Sequence, residues 1–222
     1  MAILGQGGFS LLSGSVFVLV ASVLYLRPLF ENYPTKYAFA ILLPLTIIAI
    51  DTVQGTLLFL PMVLVLAILF YWILGIKDFI FVKRSRIYYA IALSMLYLIF
   101  LLFFASDRSL LFFIKYFSVF AAAALLFREW LRLIALFHFP QRERVAALVG
   151  AFLIAQLLWA TALLPIGFLN SANLMLLCTF VIAELLVNYF KDSISRDFLR
   201  LLAFVFAFLF LLIYWTSSWT LH

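Results

Sequence analysis

Apolar runs, each about as long as a helix needs to cross a bilayer, follow one another along almost the whole chain with only short polar turns between them. They lie near 9–26, 37–53, 57–76, 87–105, 110–127, 145–164, 174–190 and 201–217. The hydrocarbon core is roughly 30 Å thick and a helix rises about 1.5 Å per residue, so about 20 apolar residues make one crossing. In hydrocarbon the backbone must bond to itself, which favours a helix for each run, and the period-2 alternation of a membrane β-barrel is absent. The stretch 37–76 as one helix would reach about 60 Å, twice the core. It must therefore turn, and Asp51, Gln54 and Gly55 mark where. Asp107-Arg108 breaks the next pair of runs, and the segment from Pro165 to Asn173 the one after. Pro44 inside the second run removes one backbone donor and predicts a kink.

Composition agrees. The 222 residues are 68% hydrophobic and 11% charged, and the mean hydropathy is +1.25. A soluble domain carries roughly a quarter charged residues, so this chain lacks the polar surface to dissolve. The net charge of +6 does not point to nucleic acid, because the basic residues sit in short loops between apolar runs. The single cysteine, Cys178, leaves no intrachain disulfide. The first run has no Lys or Arg before Arg27 and no small-residue cleavage site after it, so it is expected to be a retained span.

Lys and Arg set the orientation. The segments 27–36, 77–86, 128–144 and 191–200 hold 13 of the 15 basic residues; the alternate loops and both termini hold only Arg108, with Lys115 a little way into the fifth run. Such alternation predicts an even number of spans with the basic loops in the cytoplasm. The fold class is then all-α: a polytopic bundle of eight transmembrane helices in one domain, N-out and C-out, in a plasma membrane. Tyr25, Tyr71, Trp72, Tyr88, Tyr89 and Tyr189 fall near the inner boundaries, and Tyr214, Trp215 and Trp219 near the last outer one. These are the headgroup levels that amphipathic rings favour. The stretches 51–105, 106–165 and 166–217 each repeat turn, inward helix, basic loop and outward helix. Any up-and-down bundle obeying the charge rule does so, and no residue signature recurs across the three. Arg128-Glu129-Trp130-Leu131-Arg132 is amphipathic and the helical pattern continues to Phe139 before Pro140, so the fifth helix is expected to run past the membrane or to bend and lie along the interface. Glu129 with Arg132 at i,i+3 reads there as a solvated pair.

Ionisable residues inside spans are rare, and each is a candidate site. Glu184 stands out, in Phe180-Val181-Ile182-Ala183-Glu184-Leu185-Leu186. It lies about 10 Å along the helix from Lys191, with Asn188 at i+4 on the same face. Gln156 on the preceding helix is about as far from the turn joining the two, so a Glu184–Gln156 hydrogen bond is expected. Lys115, about one and a half turns into the fifth helix, has a stem long enough to snorkel back to Asp107 or Asp51. It also opens a stripe at helical spacing, Lys115, Ser118, Ala122, Leu125, Glu129 and Arg132, which reads either as a polar pathway or as close packing. Ala147, Ala151 and Ala155, with Gly150 beside them, form a ridge that lets helix backbones approach.

Two histidines exclude a multi-histidine metal site, and there is no H-E-x-x-H, P-loop, G-x-S-G turn with a histidine, or paired aspartates for a diphosphate metal. No cofactor is expected, and an intramembrane enzyme is the least favoured class. Two classes stand. The first is a non-enzymatic accessory or scaffold subunit, partnered by the bilayer, by another membrane protein and by anionic lipid headgroups at the basic loops. The second is a small permease or channel for a proton-coupled solute or a lipid, built around Glu184, Gln156 and Asn188.

Overall fold

A computed structural model of the chain describes residues 11–26, 35–53, 59–77, 84–106, 112–134, 140–191 and 193–217. Among these residues there are eight α-helices and no strand: α1 (Leu11–Leu26), α2 (Lys36–Val53), α3 (Phe59–Lys77), α4 (Arg84–Ala105), α5 (Phe112–Ile134), α6 (Pro140–Ala162), α7 (Phe168–Phe190) and α8 (Arg196–Thr216). One helix stands for each apolar run. Five of them, α3, α4, α6, α7 and α8, are long and apolar enough to cross a membrane. The chain is a helical membrane protein.

Helix ends follow local chemistry. α5 runs on to Ile134, past its apolar stretch, as its amphipathic tail predicts. Pro140 opens α6, where a fixed φ suits the first turn and no amide is lost, and Glu143 in that turn complements the helix dipole. α7 begins at Phe168, so the turn after α6 is shorter than the Pro165–Asn173 segment marked for it. Ser195 caps α8 by accepting from the Phe198 amide. α2 continues through Pro44. The turn residues Gln54, Gly55, Asp107 and Arg108 lie outside the described residues.

The chain divides into two compact units, Met1–Val82 and Lys83–His222. In the first, α2 turns Ala38, Leu42, Leu45 and Ala49 inward at helical spacing, and α3 does so with Leu66, Leu69, Ile73 and Ile76. A ladder of rings joins its three helices: Phe17 of α1 meets Phe70 of α3 edge-on, Phe70 meets Phe39 of α2, and Phe39 stacks on Tyr25 at 3.8 Å. The buried Tyr25 hydroxyl lies 3.1 Å from Thr35 Oγ1. Tyr25 thus turns both its ring and its hydroxyl into the interior of this unit.

In the second unit α4 packs on α5 and α7, α6 packs on the same two, and α8 lies against α7. This is a square of four helices with a fifth on its flank. α8 buries one side chain, Leu202, while Phe204 is 70% and Trp215 90% exposed. Water would penalise such a face heavily, and a bilayer does not. The ridge on α6 turns inward, with Ala147, Ala151 and Ala155 buried. A Cβ at Gly150 would stand 3.0 Å from Leu186 Cδ1 and 3.3 Å from the Phe127 ring, so the missing side chain is what lets α5, α6 and α7 close together. Gly150→Ala asks both the tip of Leu186 and the buried Phe127 ring to give by a few tenths of an ångström, and should cost less than the larger Gly150→Val. Gly150→Val adds branches with nowhere to go and should cost about 1–3 kcal/mol. Unfolding midpoints of the purified chain in one detergent would measure both.

Candidate functional site

The polar residues of the square collect at its two ends. At the end where α4 begins and α7 finishes, consecutive tyrosines on α4 reach two different helices. Successive residues on a helix point about 100° apart, close to the angle at the corner of a square. Tyr88, fully buried, donates its hydroxyl to Glu129 Oε2 of α5 at 2.6 Å. Tyr89 donates to Glu184 Oε1 of α7 at 3.0 Å, and its ring stacks on Trp130 with centroids 4.8 Å apart.

Behind Glu184 the bonds continue toward the helix end. Asn188 Nδ2 donates to the Glu184 carbonyl at 2.9 Å and to Oε2 at 3.5 Å, and the exposed Ser193 donates to Asn188 Oδ1 at 2.8 Å. Glu143, near the start of α6, is buried as well. Among the described residues the buried Trp130 indole N–H has no partner and is an orphan donor beside the two pairs.

At the opposite end Tyr97 of α4 donates to Asn173 Oδ1 of α7 at 2.9 Å. Lys115 of α5 donates to Ser106 Oγ at 3.0 Å, and Ser106 in turn donates to the Phe103 carbonyl. The Thr161 hydroxyl of α6 bonds the Met175 sulfur of α7 at 3.5 Å, a weak acceptor. α4 is therefore tied at both ends to α5 and at two levels to α7.

Of the residues singled out from sequence, Glu184 and Asn188 are brought together, and Gln156 is not. The buried face of α6 is set by Ala147, Ala151, Ile154, Ala155 and Leu158, and Gln156 falls on the other side with the exposed Phe152 and Trp159. The expected Glu184–Gln156 bond is replaced by Tyr89–Glu184. Lys115 donates to Ser106 at the other end of the square from Glu184, and Asp107, one of its two expected partners, lies outside the described residues. The α5 stripe splits: Ala122 and Glu129 are buried, whereas Ser118 and Arg132 are exposed.

Glu129 is the residue the sequence hid. Flanked by Arg128 and close to Arg132 it reads as a solvated helix end, yet it faces Tyr88 inside the bundle. One signal was available, because Glu129 stands three residues after Leu126 and seven after Ala122, on the apolar phase of α5. Tyr88 and Tyr89 turn their hydroxyls inward to Glu129 and Glu184, whereas Tyr71, Tyr189, Tyr214 and Trp215 are exposed.

Chemically, the Glu129 and Glu184 carboxyls each receive a phenol donor. A hydrogen bond to a charged group contributes about 1.5–3 kcal/mol, and a buried polar group left unpaired costs a comparable amount. Comparison with protein-family models, with curated proteins and with solved structures gave no match. Position within the bundle therefore predicts consequence. Gln156→Leu should stay within about 0.5 kcal/mol of the parent. Glu184→Leu, which strands the Tyr89 hydroxyl, should lose about 1–3 kcal/mol. Thermal unfolding followed by tryptophan emission would compare the two.

Proposed function

We propose that the chain is a non-enzymatic membrane component, an accessory or scaffold subunit that assembles through its helix faces and basic loops. In this reading all eight helices cross a plasma membrane, both ends lie outside the cytoplasm, and the Arg- and Lys-rich segments meet anionic headgroups on the inner side. The observation that carries it is the closure of two carboxyls of the square on neighbouring side chains: Glu129 on Tyr88, and Glu184 on Tyr89 and Asn188. Groups spent on bonds between neighbouring helices stiffen a bundle. A transport site would instead aim them at a solute. The exposed apolar faces of α6 and α8 leave ample helix surface for a membrane partner.

A second reading, a proton-coupled permease, draws on one specific feature. The bonds from exposed Ser193 through Asn188 to Glu184 and Tyr89 lead from a helix end into the bundle. Native mass spectrometry of the gently solubilised, tagged chain from its own membrane separates the two. The scaffold reading expects a stoichiometric protein companion that survives Glu184→Gln. A lone chain carrying a retained solute, with proton-coupled flux abolished by Glu184→Gln, would overturn it.

A further inference from the structure

α6 is long and apolar enough to cross a membrane from Gln141 to Ala162. Between Arg144 and Pro165 its sequence holds one hydroxyl, Thr161, and one amide, Gln156. Thr161 is buried and bonds the Met175 sulfur. Gln156 faces outward and makes no hydrogen bond among the described residues. It lies about 18 Å along the helix from Arg144 and about two turns short of Leu164, beyond the reach of its short stem to water.

Exposed hydroxyls elsewhere in the chain are closed on their own helices. Ser118 donates to the Ile114 carbonyl at 2.8 Å, and Thr52 to the Ile48 carbonyl at 2.7 Å. The amide of Gln156 has no such closure, and an unsatisfied amide in hydrocarbon costs several kcal/mol. Its neighbours give it a setting. Val149, Leu153, Gln156, Ala160 and Leu163 are all exposed, at spacings of four, three, four and three. This is the seam along which two helices interlock, and a single polar residue within such a seam fixes register. Ala160, one turn beyond the amide, lets a second backbone approach. No charged residue interrupts the stripe.

We propose that this stripe is an interface between two copies of the chain, paired α6 to α6 about a two-fold axis along the membrane normal. Copies inserted the same way carry every residue at the same depth, and a two-fold contact brings equivalent positions together. An amide is donor and acceptor in one group, so two Gln156 side chains satisfy each other through reciprocal N–H to carbonyl bonds. A different protein would have to present both groups at that depth independently; a second copy does so of necessity. The pairing goes beyond the accessory-subunit reading and does not rest on it, since a permease can dimerise in the same way.

Two measurements on the full chain test it. In the first, donor- and acceptor-labelled copies are mixed in phosphatidylcholine vesicles, and energy transfer is followed as lipid is added. Transfer should fall as a monomer–dimer equilibrium. Gln156→Leu should weaken that equilibrium about tenfold, the loss of the interhelical amide bonds. Gln156→Asn, which keeps an amide, should lose less. Because Gln156 holds nothing within its own bundle, the unfolding midpoint measured where the chain is a monomer should not move in either variant.

The second measurement leaves Gln156 intact and so stands even if Gln156→Leu does not fold. With Cys178→Ala as background, Leu153→Cys and Leu163→Cys should each give a disulfide-linked species of twice the chain mass in the membrane of the expressing cell. Leu201→Cys and Leu211→Cys, on exposed positions of α8, should not. A chain monomeric at every dilution would overturn the proposal, as would self-association unchanged by Gln156→Leu. Cross-links as strong through α8 as through the stripe, or a stripe cross-link to a different protein in place of the dimer, would overturn it as well.

Discussion

Two adjacent phenols on one helix, each bonded to a carboxyl on a different neighbour, fix how the larger unit is put together. Tyr88 and Tyr89 diverge by the turn angle of a single residue, which is what a corner helix needs to reach both flanking helices from one level. Tyr88 holds α5 through Glu129, and Tyr89 holds α7 through Glu184. Apolar faces alone would leave the rotation of α4 weakly specified, because lipid solvates Leu and Phe about as well as another helix does. Hydrogen bonds are directional, and in a membrane they favour one rotation over its alternatives. The lower pair of bonds on α4, Tyr97 to Asn173 and Ser106 to Lys115, repeats the arrangement at the other end.

Shape supplies the remaining cohesion. With no hydrophobic effect between helices in lipid, association depends on contact area, and small residues let backbones approach closely. Gly150 stands between Phe127 of α5 and Leu186 of α7, and the alanine ridge extends the approach along α6. The close-packed middle of the square thus lies between two polar ends. One end is closed upon itself by phenol–carboxyl bonds. At the other, Lys115, Ser106, Thr161 and Ser171 line a cleft of about 90 Å³.

The architecture was legible because it rests on length and periodicity. Eight apolar runs gave eight helices, and the ridge at Ala147, Ala151 and Ala155 turned inward as small residues at four-residue spacing should. Glu184 and Asn188 met because i,i+4 geometry is local. Gln156 did not meet them: distance from a turn reads off depth along a helix, but rotation depends on the neighbour's position, which no single helix encodes. Tyr88, Tyr89 and Glu129 were obscured for a related reason. A tyrosine near a helix end suits either the headgroups or a buried carboxyl, and an acid between arginines suits either water or a phenol across the bundle. Only the packing decides, and here the donor of α4 and the acceptor of α5 lie 41 residues apart. The cleft escaped the sequence for the same reason, since Lys115, Thr161 and Ser171 belong to three helices.

Double-mutant cycles in detergent, pairing each tyrosine with each carboxyl, test most directly the claim that this corner sets the bundle. Tyrosines would be changed to Phe and glutamates to Leu, and unfolding free energies compared. The matched pairs, Tyr88 with Glu129 and Tyr89 with Glu184, should each show a coupling of about 0.5–2 kcal/mol, with the double variant recovering much of what Glu→Leu alone loses. The crossed pairs, Tyr88 with Glu184 and Tyr89 with Glu129, should be close to additive. Crossed couplings as large as the matched ones, or none in any pair, would contradict the account.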